Sequence, residues 1–246
     1  MHHFFVEPSQ IQETQIQIIG SDVNHIKNVL RMKPGEQICI CTGQDIKEYF
    51  CKIQEIEADM VTAEILEVWT SEKELENKIV LFQGLPKSDK MEMIIQKAVE
   101  LGVSAIVPVA TARAVVKLDA KKEQSKRKRW AGISESAAKQ SGRMIVPEIL
   151  PVHSFKEALQ YAKDMDVKII PYELAEGMER TREIMQQITP GQTIAVFIGP
   201  EGGFEEKEIQ MAMECGVQPI TLGRRILRTE TAGLVTLAML VYNLER

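Results

Sequence analysis

Three glycines and a proline within five positions, Gly199-Pro200-Glu201-Gly202-Gly203, end an apolar run, Thr193-Ile194-Ala195-Val196-Phe197-Ile198. A short run of this kind, mostly β-branched and bounded by breakers, reads as a strand buried on both faces. Glycine accepts positive φ and lets a ligand approach the backbone, while proline fixes φ and withholds a donor. The strand therefore stops in a sharp turn, and after Phe204 a helical pattern runs from Glu205 to Cys215. Open α/β sheets take their ligands at the carboxyl ends of such strands. A plain strand-to-helix connection would use the same residues, so this stretch alone leaves both readings open.

A second stretch shifts the balance toward a site. Val217-Gln218-Pro219-Ile220-Thr221-Leu222 is another short strand-like segment, followed by Gly223-Arg224-Arg225-Ile226-Leu227-Arg228-Thr229-Glu230-Thr231 and a last helix read from Ala232 to Leu244. Three arginines in five positions after a glycine are costly for a mere connector. Together GPEGGF and LGRRILRTETA resemble the RsmE-type 16S ribosomal RNA (uridine-N3) methyltransferases of the SPOUT superfamily. WAGISESAAKQSGR from Trp130 to Arg143, Gln96 to Val103, and His25 to Met32 resemble further segments of that family, so the likeness spans nearly the whole chain.

The resemblance implies S-adenosylmethionine as cofactor, a C-terminal trefoil knot, a homodimer, and 16S ribosomal RNA or the small ribosomal subunit as partner. The cofactor cradle is expected at Gly199, Glu201, Gly203, Leu222, Gly223, Ile226 and Leu227, where backbone groups meet the adenine edge and ribose. Methyl transfer from a sulfonium is an in-line displacement, for which alignment supplies much of the catalysis. Uracil N3 carries a proton at neutral pH, so the site must remove it or stabilise negative charge on O2 and O4. Arg228 is the candidate for the second task. Glu201 or Glu230 is the candidate base, although Glu201 could instead sense the sulfonium and Glu230 could favour the helix dipole.

Upstream, residues 1–73 read as a small β-rich unit with strand patterns at 4–6, 13–19, 37–41, 48–57 and 60–69 and one short helix after Ser21. Such a unit suggests a small barrel of the kind used to hold RNA, and the resemblance implies a PUA/OB-like one with His25 and Arg31 as contacts. His25 also reads as a surface histidine, and Arg31 as a basic residue at a helix C-terminus. Thr70 to Asn77 is charged and poor in apolar residues, which places a domain boundary near residue 74. From there to 246, strand and helix patterns alternate, predicting an α/β domain with a mostly parallel sheet covered on both faces.

The net charge of −5 does not mark the chain as a nucleic-acid binder, but a local basic face is what matters. Lys121 to Trp130 holds six basic residues and one acid, so Lys126, Arg127 and Arg129 are candidate phosphate contacts, or else a solvated helix face. The resemblance adds Arg113, Lys117, Gln140 and Arg143 to the RNA side. Cys39, Cys41, Cys51 and Cys215 form no CxxC pair and have no histidines at zinc spacing, so reduced thiols, no metal and a cytoplasmic location are expected. The start lacks a basic flank and a long apolar region, and the apolar runs are too short for a membrane span. The glycine loop has no Lys-Ser/Thr ending of a P-loop and no GxGxxG opens the first helix.

Overall fold

Short apolar runs, interrupted every few residues by turns, build two separate sheets. The structure is a computed structural model describing residues 1–173 and 177–245. It divides into two units, Met1–Glu74 with Ala138–Val146, and Leu75–Ala137 with Pro147–Arg246.

The first unit carries β1 (His3–Phe5), β2 (Gln15–Ile19), β3 (Gln37–Cys41), β4 (Lys47–Ile56) and β5 (Met60–Thr70) in the order β1-β3-β4-β5-β2. Among these described strands only the β1–β3 pair is parallel. Alternation turns Ile16, Ile18, Ile38, Ile40, Ile53, Val61 and Ala63 inward, where they meet Val23 and Ile26. The last two lie on α1 (Ser21–Asn24) and the π-helical turn His25–Val29 that continues it. That turn ends with Met32 N–H donating to Ile26 O and with Arg31 at φ 53°. This is a left-handed helix cap, so the backbone of Arg31 serves the cap whatever its side chain meets.

The same unit includes residues 138–146, which the sequence reading placed wholly in the α/β part. Glu74 holds them. Its carboxylate accepts from Arg143 Nη2 at 2.6 Å and from the backbone N–H groups of Met144 and Ile145 at 2.9 and 3.2 Å. Val146 N–H donates to Gly43 O, and Met144 packs on Cys39, Cys41 and Phe5.

In the second unit β6 (Lys78–Gly84), β7 (Ala105–Ala110), β8 (Glu148–Ile149), β9 (His153–Ser154), β10 (Val167–Pro171), β11 (Thr193–Ile198) and β12 (Gln218–Ile220) form a parallel sheet. The order is β12-β10-β11-β6-β7-β8, with β9 also on β7. Its helices are α2 (Lys90–Glu100), α3 (Ala120–Ser141, of which residues 138–141 belong to the first unit), α4 (Phe155–Tyr161), α5 (Met178–Gln186), α6 (Glu206–Glu214) and α7 (Thr229–Leu244). Ser154 caps α4 in a reciprocal capping box with Glu157.

Both faces of this sheet are buried. Val80, Phe82, Val107, Val109, Ala195 and Phe197 meet Ala158 and Leu159 of α4 and Ile209 and Ala212 of α6. Phe82 and Phe197, opposite each other in register, stack at 4.5 Å. The alternate residues Ile79, Leu81, Ile106, Ile194 and Val196 are fully buried on the other side, where α7 packs against α2, α5 and β11. Because every strand points the same way, all the carboxyl ends lie along one edge. No helix among the described residues is long and apolar enough to cross a membrane.

Candidate active site

The turn after β11 is held against the end of β6. A Cβ on Gly84 would lie 2.7 Å from Pro200 N and Cδ, so only glycine allows the two backbones to approach this closely. Gly203 N–H donates to Pro200 O to close the turn, with Gly203 at φ 66°. Arg113, in the loop after β7, donates from Nη1 to Gly202 O at 2.9 Å. A Cβ on Gly202 would press on Arg113 at 3.2 Å.

The turn after β12 approaches from further away than the sequence reading assumed. β10 lies between β11 and β12, so the two glycine-bearing exits are not neighbours in the sheet. What joins them is the chain from Thr221 to Thr229. Thr221 is anchored by Thr181 of α5, whose hydroxyl donates to Thr221 O and accepts from Thr221 N–H. Gly223 then takes φ 109°, and the segment ends at Thr229, the first residue of α7. There the Thr229 hydroxyl donates to Gly199 O at 2.6 Å and accepts from Gln83 Nε2 at 2.9 Å. A buried threonine thus ties the last helix to the ends of β6 and β11.

Two carboxylates share one ammonium beside this junction. Lys90 Nζ lies 3.0 Å from Glu201 Oε1 and 3.4 Å from Glu230 Oε2. Burial pushes the Glu201 carboxyl up. The Lys90 ammonium and the backbone N–H groups of Glu201 and Lys87 outweigh that and hold it below the ordinary carboxylate range. Lys90 is raised in turn, first by its hydrogen bond to Glu201 and then by Glu230. Glu230 sits in the first turn of α7, which begins three residues earlier than the apolar periodicity indicates.

A Cβ on Gly203 or on Gly223 would meet nothing within 4 Å, so open room lies beside both backbones. Leu222 and Leu227 are half-buried, but Ile226 is 86% exposed and makes no apolar wall within this chain. Gln83 Oε1 is buried without a hydrogen-bond partner among the described residues. Arg228, the N-cap residue of α7, is exposed.

The expected RNA contacts differ in exposure and in what they already bond within the protein. Lys117 and Gln140 are exposed, as is Lys128 next to Arg127, and Lys126 is half-buried. Arg127 donates to Ile149 O, and Arg129 pairs with Glu92 at 2.7 Å. Arg143, expected on the substrate side, is 6% exposed and paired with Glu74. Its segment needed an anchor for the return into the first unit. His25 is exposed on the π-helical turn, edge-on to Phe4 at 6.3 Å. Gln83, Gly84, Lys90, Thr181 and Thr229 escaped the sequence reading. A glutamine at the end of an apolar strand was the available signal for Gln83; the others needed the fold.

Comparisons with known proteins show the family. Residues 73–241 match the model of the RNA methyltransferase domain, and residues 18–66 that of the RNA methyltransferase PUA domain. Ribosomal RNA small subunit methyltransferase E of Bacillus subtilis (strain 168) is 42% identical, with 100% of this chain and 98% of that protein covered. A crystal structure of a ribosomal RNA small subunit methyltransferase E from Neisseria gonorrhoeae bound to S-adenosylmethionine superposes with a TM-score of 0.83. It is 35% identical over 97% of this chain and 95% of that one. A structure from Legionella pneumophila, solved with the same cofactor, gives a TM-score of 0.84 at 33% identity, covering 97% and 96%.

Proposed function

Because the chain belongs to the RNA methyltransferase family, with the ribosomal RNA small subunit methyltransferases E among its relatives, we propose that it methylates N3 of a uridine in 16S ribosomal RNA. The observation that carries this is the Thr229 bridge. It sets the Arg228 end of the second segment beside Gly199 although a strand separates the two origins.

S-adenosylmethionine supplies an electrophilic methyl group on a sulfonium. Gly199, Gly203 and Gly223 would hold it through backbone N–H and C=O groups, and Leu222 and Leu227 would line its apolar parts. The N3 proton leaves to solvent water, and Arg228 stabilises the negative charge that its loss spreads over uracil O2 and O4. Glu201 is a poor base in this setting, since its proton affinity is lowered and Lys90 is 3.0 Å away. Its role is to position the turn and to favour the sulfonium charge. Glu230 meets the same ammonium and the N-terminus of α7.

The first unit holds RNA as a PUA-like module, with His25 at its surface, and the second carries out the transfer. The C-terminal segment is threaded as a trefoil knot, a reading that rests on the family resemblance. The enzyme works as a homodimer in the cytoplasm, and the partner covers Ile226 and Tyr242, which are 86% and 87% exposed in one chain. Nucleoside mass spectrometry of ribosomal RNA from cells lacking the protein tests the function. Loss of 3-methyluridine is expected; an unchanged level, or loss of a ribose methyl mark instead, overturns it.

A further inference from the structure

One face of the first unit's sheet gathers soft ligands that the transfer reaction does not use. His3 on β1 lies opposite Cys39 on β3, and Cys41 follows two residues later on the same face. An imidazole nitrogen of His3 and the two sulfurs all lie within 4.8 Å of one another. Glu48 of β4 stands beside two of these three, its Oε1 3.1 Å from Cys39 Sγ and 3.8 Å from His3 Nε2. Met144 closes the far side, with Sδ 3.5 Å from Cys41 Sγ. Both cysteines and Met144 are fully buried. His3 Nδ1 is buried with no hydrogen-bond partner among the described residues.

We propose that His3, Cys39, Cys41 and Glu48 form a binding site for a zinc-class divalent cation. Two thiolates, an imidazole and a carboxylate are a four-ligand set suited to a borderline-soft ion without geometric preference of its own. Zinc–sulfur bonds of about 2.3 Å place two thiolates roughly 3.8 Å apart in a tetrahedron, so only a small inward turn of the side chains is needed. Charge also balances. The ion's two positive charges meet two thiolates, whose protons leave to solvent, and Glu48 keeps its ion pair with Lys73 at 3.2 Å. The buried centre ends neutral, which is what burial demands.

A disulfide is a poor alternative use for these thiols. Residues two apart on an extended strand have Cα atoms about 6.6 Å apart, at the outer limit for a disulfide bridge, and both side chains point the same way. A bound ion would instead join β1, β3 and β4.

Reduced, metal-free, full-length protein titrated with Co²⁺ tests the site. One equivalent is expected to give a thiolate-to-cobalt charge-transfer band and tetrahedral d–d bands, both removed by one equivalent of Zn²⁺. Cys41→Ser and His3→Ala should weaken binding at least tenfold, whereas Cys215→Ser, an exposed thiol at the end of α6, should not. If Cys41→Ser fails to fold, His3→Ala, whose side chain is partly exposed, decides. Absence of the bands at micromolar Co²⁺, or equal affinity in His3→Ala, overturns the proposal.

Discussion

Thr229 and Gly199, thirty residues apart in sequence, are joined by a hydrogen bond of 2.6 Å from the threonine hydroxyl to the glycine carbonyl. The same oxygen accepts from Gln83 Nε2. A hydroxyl is the smallest group that can give and accept at once, and a buried position leaves no water to replace it.

Thr229→Val keeps the shape and removes both bonds. The stranded Gly199 carbonyl and Gln83 amide should cost about 1–3 kcal/mol, read as a lower urea midpoint. Affinity for S-adenosylmethionine by calorimetry should fall at least tenfold. Thr229→Ser, which keeps the hydroxyl, should bind nearly as wild type; equal loss in both variants would deny the hydroxyl its role.

Gly84→Ala introduces a methyl group 2.7 Å from the Pro200 backbone nitrogen. Overpacking of this sort costs about 1–3 kcal/mol. The displaced turn should lose cofactor affinity more than the protein loses stability, because Gly84 faces the 199–200 segment directly. A variant that melts and binds like wild type would show the turn to be free to move.

Glu201 supplies a pH-dependent term. Its folded pKa lies below the ordinary value of 4.5, so its contribution is present above that value and disappears as pH falls through the lowered one. Lys90 is raised above 10.5, so its contribution is present below that value and disappears as pH rises through the raised one. The stability gap between wild type and Glu201→Gln should therefore be level from about pH 6 to 9 and shrink on acidification below about pH 4.5. Denaturant midpoints at neutral pH and at about pH 3.5 measure it; an identical gap at both would break the link.

Arg228→Ala should leave stability within about 0.5 kcal/mol, as expected of an exposed side chain. Methylation of ribosomal RNA should drop by about 10²-fold or more, with cofactor binding largely kept. Turnover close to wild type would leave Arg228 without a part in the chemistry.

On α3 the charges are unequal. Arg127 and Arg129 already bond Ile149 O and Glu92, so Lys126→Ala with Lys128→Ala should account for most of the salt dependence that this helix gives RNA binding. The slope of log affinity against log salt should fall by about 1.4 for two single-strand phosphate contacts. Arg127→Ala should chiefly lower stability. A slope unaltered by the two lysine changes would make this a solvated face.

Much of the architecture can be read from periodicity. The runs at 78–84, 105–110 and 193–198 are strands because they are uniformly apolar and punctuated by glycine, proline or polar turns. The glycine turn and the arginine-bearing segment carry enough composition to suggest a candidate site. Their mutual placement is another matter. No local rule tells that β10 separates β11 from β12, nor that Thr229 closes the gap. Arg143 and Arg129 read as available cations because their partners, Glu74 and Glu92, are 69 and 37 residues away. Cys39, Cys41 and His3 looked unremarkable for the same reason: spacing rules follow the chain, while these groups converge across strands.

The return of residues 138–146 has a practical corollary for anyone dissecting the protein. A fragment cut after Glu74 would strip that carboxylate of the guanidinium and two amides it now satisfies. It would also leave Cys39, Cys41 and Phe5 without the methionine that seals them. The first unit is thus composed of two stretches of chain, and only a graft carrying both would transplant it whole.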